Sequence, residues 1–170
     1  MKNKEARLVI RFANITSASD KAKVWAAEQE VGILMLGEHH DRGDKLLNLM
    51  KYLSFRDWNC FTAAARASLE SEEGTYGGTM VLSQKAIDAI PLRSYLSKPG
   101  GWLSTSGCPF GSVGQCTFGG RQLMVFGMYF KNGINSEEGE EAWRCMWDIT
   151  DGCKILYVAG ADWNATPDEV

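Results

Sequence analysis

The sequence predicts an α/β fold, and three observations carry that expectation. Short apolar runs of strand length alternate with segments of helical spacing, the pattern of layered α/β proteins. The 170 residues are 45% hydrophobic and 23% charged, the composition of one ordinary domain that can bury a core. No stretch reads as an internal repeat or a second domain, so one domain over 1–170 is expected.

The elements follow in order. ARLVIRFAN alternates Leu8, Ile10 and Phe12 with Val9 and Arg11, the period of a strand, and ends at Asn14. The polar SASD supplies an N-cap for a helix in KAKVWAAEQE, with Ala22, Trp25 and Ala26 on one face. VGILML is a continuous apolar run, as in strands covered on both faces, and it delivers Gly37-Glu38. Asp44 is placed to cap a second helix, in which Leu46, Leu49, Met50 and Leu53 repeat at helical spacing. Strands are expected at Trp58–Ala64 and Gly78–Leu82, separated by the acidic, turn-forming SLESEEGTYGG. Residues 97–120 are rich in Gly and Ser and read as a long excursion with room for a hairpin. QLMVFGMYF is a further buried strand. Asn135 or Ser136 then caps a third helix, with Trp143, Met146, Trp147 and Thr150 on one face and Gly152 placed to stop it. KILYVAGA is the last strand and leads to Asp162.

Composition narrows the function. A net charge of −3 and a pI near 5.4 give no global attraction to a polyanion, so phosphate binding needs a local basic patch or a bridging cation. The chain lacks an apolar run of membrane-spanning length and a signal-peptide pattern, which predicts an intracellular protein, nuclear or cytoplasmic. Cys60, Cys108, Cys116, Cys145 and Cys153 are odd in number, widely spaced and free of CxxC. They fit buried apolar positions better than disulfides or a zinc site.

Three of the strands end in polar residues of one chemical type: Asn14, Glu38, and Asp162 with Asn164. Each has a plainer reading, as a turn residue, a solvated loop acid or an Asx turn. Jointly, acids and amides at converging strand ends suit an oxygen-ligated divalent cation such as Mg²⁺ or Mn²⁺.

FANIT, ILMLGEHH, YGGTMVLS, VFGMYFKN and AGADWNATPD, in this order, resemble the endonuclease/exonuclease/phosphatase superfamily, whose members include abasic-site and retrotransposon endonucleases. The resemblance spans nearly the whole chain and implies a four-layer α-β-β-α sandwich, here partial, comprising the N-terminal half to two-thirds. It implies Glu38 as the metal carboxylate with Asn14 assisting, Asp162 orienting or deprotonating the attacking water, and Asn164 holding the phosphate. Tyr129 would contact the scissile phosphate, or is simply a half-buried strand aromatic. Gly37 stands where the family commonly has Gln, and Ala161 where it often has Gly.

The family's Ser-Asp-His-like motif would lie beyond Val170, and His39 and His40 offer no evident Asp–His pair to replace it. The expectation is therefore a C-terminally truncated, Mg²⁺-dependent nucleic-acid endonuclease domain of retrotransposon type, weak or inactive as it stands. Two alternatives are a non-catalytic remnant or interaction module of the same fold and a phosphatase of small phosphoesters. DNA or RNA is the expected substrate. Because the apolar strands call for cover on both faces and three helices can cover only one, self-association or pairing with a complementary half through an exposed sheet face is also expected.

Overall fold

The computed structural model describes residues 7–68, 74–91 and 111–162. Within them the order is β1 (Ile10–Asn14), α1 (Asp20–Ala27), β2 (Ile33–Gly37), α2 (Gly43–Phe55), β3 (Trp58–Ala63), β4 (Arg66–Ala67), β5 (Thr75–Tyr76), β6 (Thr79–Gln84), β7 (Asp88–Pro91), β8 (Gly111–Phe118), β9 (Arg121–Tyr129), α3 (Glu137–Cys153) and β10 (Leu156–Asp162).

The strands form two four-stranded sheets, ordered β1-β2-β6-β3 and β10-β9-β8-β7, with β4 and β5 as a separate short ribbon. In each sheet one pair is parallel, β1 with β2 and β10 with β9, and the remaining pairs are antiparallel. Side-chain alternation then sorts the apolar residues into three layers. Ile33, Met35, Val81, Cys116 and Val125 pack between the sheets, with Ile10, Phe12, Phe61 and Val158 against them. Leu34, Leu36, Met80 and Leu82 face the other way and meet Ala26 of α1 and Leu46, Leu49 and Leu53 of α2. Met124, Phe126 and Met128 of the second sheet meet Ala142, Met146 and Ile149 of α3.

This is an α-β-β-α sandwich, and it corrects the premise that one sheet face lacks cover. The sheets cover each other, α1 and α2 cover one outer face, and α3 covers the other. Close approach of the sheets explains a strand that the sequence disguised. Gly114, in the middle of β8, lies under the Phe61 ring, where a Cβ would come within 2.8 Å of it. The Gly- and Ser-rich stretch therefore contains a buried eight-residue strand from Gly111, while residues 97–110 lie outside the described part.

Other boundaries also shift. Ser19 caps α1 through Ala22 N, and Ser136 caps α3 through Gly139 N, as capping chemistry requires. α2 begins instead at Arg42, which makes no side-chain cap, and Asp44 sits inside the first turn, where its charge favours the helix dipole. Gly152 does not stop α3; the chain leaves the helix at Lys154, in the left-handed region at φ 51°. The face proposed for α3 is divided, for Met146 and Thr150 are buried while Trp147 is 54% exposed. Cys60 and Cys116 behave as buried apolar groups: burial pushes their thiols up to about 12 and about 11.

Candidate active site

The pleat decides which side chains reach the rim of the sandwich. Ile10 and Phe12 of β1 face the opposing sheet, so Asn14, two residues on, ends the strand pointing the same way. On β10, Val158 lies in the inter-sheet layer and Gly160 lies under Phe12 and Met35, so Asp162 ends that strand facing inward from the other side. The two residues meet across the gap. Asn14 Nδ2 donates to Asp162 Oδ2 at 2.8 Å, linking residues 148 apart in the chain.

Glu38 reaches the same place by breaking the alternation. Ile33 and Met35 face inward, and so would Gly37, which leaves the next residue to face α2. Its backbone instead enters the left-handed region at φ 55°, and the carboxylate accepts from Asn14 Nδ2 at 2.8 Å. A non-glycine residue held there costs about 1–2 kcal/mol. Strain of this kind persists where surrounding structure enforces it, commonly at functional positions.

Surrounding structure does enforce it. His39 N donates to Gly78 O, His40 N to Gly77 O, Ala18 N to His39 O and Ala65 N to Asp41 O, so the segment is stitched on three sides. The His39 ring is fully buried and its Nδ1 accepts from Asp41 N at 3.0 Å. Nε2 must then carry the proton, and it faces Ala63 O at 3.1 Å and Thr79 O at 3.3 Å. Burial is the main reason its pKa is held below the ordinary value, against the bonds to Thr79 and Ala63 and the Asp41 charge, which raise it. Gly78, at φ 84°, touches the ring so closely that a Cβ would lie 2.5 Å from it. His40 Nδ1 donates to Thr75 O at 2.8 Å, and Thr75 Oγ1 returns a bond to His40 O at 2.8 Å. Both histidines are thus committed to backbone carbonyls. His39 is a positioning element that the sequence reading passed over; the signal was the Gly77-Gly78 pair, which only makes sense against something bulky.

The amide orientation of Asn14 follows from its neighbours. Oδ1 accepts from Thr16 N at 3.0 Å, and both hydrogens of Nδ2 are spent on carboxylates. The flipped amide would set an oxygen against two anions. Because Glu38 Oε2 and Asp162 Oδ2 both touch one nitrogen, they lie no further apart than twice that hydrogen-bond length. Carboxylate and amide oxygens are the ligands a hard divalent cation prefers, and the exposed Asn14 side leaves room for waters to complete its shell. The donor set therefore fits a hard divalent cation. Among the described residues no group of three or more His, Cys, Asp or Glu could hold a metal, and the ligands these residues offer are the carboxylate pair and the amide.

Tyr129 ends β9 opposite Asp162 in the parallel register, with its ring against Gly77 and tilted toward Tyr76 at 6.5 Å. Asn164 lies outside the described residues, as does Trp163.

This α-β-β-α fold is shared with solved structures that include an endonuclease domain and a 3′ phosphatase. It is similar to the endonuclease domain of TRAS1, a telomere-specific non-LTR retrotransposon, at TM-score 0.59 and 13% identity over 95% of this chain and 61% of that one. It is similar to the human Nocturnin catalytic domain, at TM-score 0.62 and 19% identity over 95% of this chain and 65% of that one. A third likeness is to the Neisseria 3′ phosphatase NExo bound to a product DNA hairpin, at TM-score 0.56 and 18% identity over 95% and 59% of the two chains. The chain thus spans less than two-thirds of each of these structures. No family model matches the sequence, and no curated protein matches it either.

Proposed function

We propose that the chain is a metal-dependent phosphodiester hydrolase domain acting on nucleic acid, with the retrotransposon type of endonuclease as its nearest functional kind. The observation that carries the reading is the convergence of the Glu38 and Asp162 carboxylates on one Asn14 amide at the rim between two sheets. The fold shared with nucleases supports it. Glu38 and Asn14 hold the cation side of the site, Asp162 orients or deprotonates the attacking water, Tyr129 contacts the scissile phosphate and Asn164 holds it. A bound Mg²⁺ or Mn²⁺ supplies charge neutralisation at the phosphoryl oxygens.

Turnover is proposed to be slow. His39 and His40 are both engaged by backbone carbonyls and cannot protonate the leaving group, and losing a general acid costs about 10²–10⁴-fold. The same observation favours a second reading, a non-catalytic remnant or interaction module of this fold. Self-association is best served by the β10 edge, where Leu156, Tyr157 and Trp147 are exposed. Among the described residues no helix is long and apolar enough to cross a membrane.

The test is nicking of supercoiled plasmid, and separately hydrolysis of inositol polyphosphates, with Mg²⁺ or chelator. Mg²⁺-dependent nicking lost in both Glu38→Ala and Asp162→Ala is expected. Inertness toward plasmid would favour the module, and preference for inositol polyphosphates would favour a small-phosphoester phosphatase.

A further inference from the structure

Beside Tyr129 the surface opens into a cleft lined by Arg66, Tyr76, Gly77, Gly78, Tyr129 and Lys131. It is not a random patch. Lys131 projects from the end of β9 and sets its ammonium 4.1 Å from the centre of the Tyr76 ring, a cation–π contact that holds a long flexible side chain in place. Arg66, from the β4–β5 ribbon, stands on the same cleft and is steadied by Glu138 of α3 at 3.7 Å. Glu138 is the acid of the group, so the cleft carries two cations against one anion. It is locally basic in a chain whose net charge is −3.

Its position gives it meaning. Tyr129 belongs to both places, paired with Asp162 in the β9–β10 register and lining the cleft. The cleft floor, Gly77 and Gly78, is bonded to the two residues that follow Glu38. A nucleic-acid strand carries a phosphate at every nucleotide, so a strand whose scissile phosphate lies at Tyr129 brings a neighbouring phosphate to this cleft. A small phosphomonoester would leave the cleft empty.

We propose that Lys131 and Arg66 form a subsite for a second, non-scissile phosphate, so that the site selects a polynucleotide. The inference rests on the hydrolase reading above and specifies its substrate. Tyr76 acts in it as the wall that orients Lys131. Lys131 is exposed and Arg66 half-buried, so both cations are open to an incoming phosphate. Each phosphate neutralised by a basic side chain releases condensed counterion, so the subsite is read directly from the salt dependence of binding.

The experiment measures anisotropy of a labelled, phosphorothioate-linked single-stranded oligonucleotide in Mg²⁺ across a range of salt. Wild-type protein is compared with Lys131→Gln, Arg66→Gln and, as a control for lost charge elsewhere, Lys85→Gln at the far end of β6, where Lys85 pairs with Asp57. Lys131→Gln and Arg66→Gln should each flatten the log-log salt slope by about 0.7, the value for one phosphate contact on a single strand, while Lys85→Gln leaves it unchanged. An unchanged slope in both cleft variants, with tight wild-type binding, would overturn the subsite and leave the hydrolase reading standing. Wild-type protein that binds no oligonucleotide would overturn both.

Discussion

Glu38 shares the left-handed backbone region with Thr16 and His40 at the site, and it is the one of the three that brings a carboxylate to Asn14. Its left-handed backbone serves only to aim a carboxylate, so asparagine, which tolerates that conformation, should relax the chain while removing a charge. Glu38→Asn is expected to hold or raise stability by up to about 1 kcal/mol in chelator while abolishing tight cation binding. A chemical-denaturation midpoint that falls sharply would contradict this. His39 gives a second prediction, with a sign that can be worked out. Burial holds its folded pKa below the ordinary 6.5, so the unfolded chain takes up the proton first. Its contribution is intact above pH 6.5 and declines as pH falls below that value, because a proton on Nδ1 would confront the Asp41 N–H. Thermal melts in chelator should show that decline in wild-type protein and a flatter profile in His39→Gln.

The elements show what was legible in the sequence and what was not. Strands that bury both faces, such as β2 and β9, announce themselves as unbroken apolar runs, while the parity that aims Asn14 and Asp162 belongs to their parallel neighbours β1 and β10. β8 was hidden because its packing demands small residues, and a run of Gly, Ser and Thr imitates a loop. β7 and the β4–β5 ribbon are too short to leave a periodic trace. The polar identities at three strand ends were visible; the left-handed turn at Glu38 and the buried His39 were not, since neither residue type advertises those states. At α3 the same blindness made Gly152 look like the stop. Lys154 actually adopts the left-handed terminal conformation, where glycine is favoured, so Lys154→Gly should stabilise the fold by about 1 kcal/mol, read from the unfolding midpoint.

At the scale of the molecule the two sheets are mutual cover, which makes the sandwich a single cooperative unit. Leu34, on the α1–α2 side, and Phe126, on the α3 side, are both fully buried. Leu34→Ala is expected to cost about 2–5 kcal/mol and Phe126→Ala about 3–5 kcal/mol. Both should shift one unfolding transition, and separate transitions for the two sheets would refute the shared core. That cooperativity also matters for chemistry, because Asn14 and Glu38 belong to one sheet and Asp162 to the other. The site exists only while the sheets stay packed.

Calorimetric titration of the folded chain with Mn²⁺, repeated for Glu38→Gln and Asp162→Asn, addresses the claim that two distant carboxylates share one ion. The account predicts a single bound ion per chain, with affinity reduced at least tenfold in each variant and the fold intact by circular dichroism. Binding that survives both substitutions, or no binding by the wild-type chain, would contradict it.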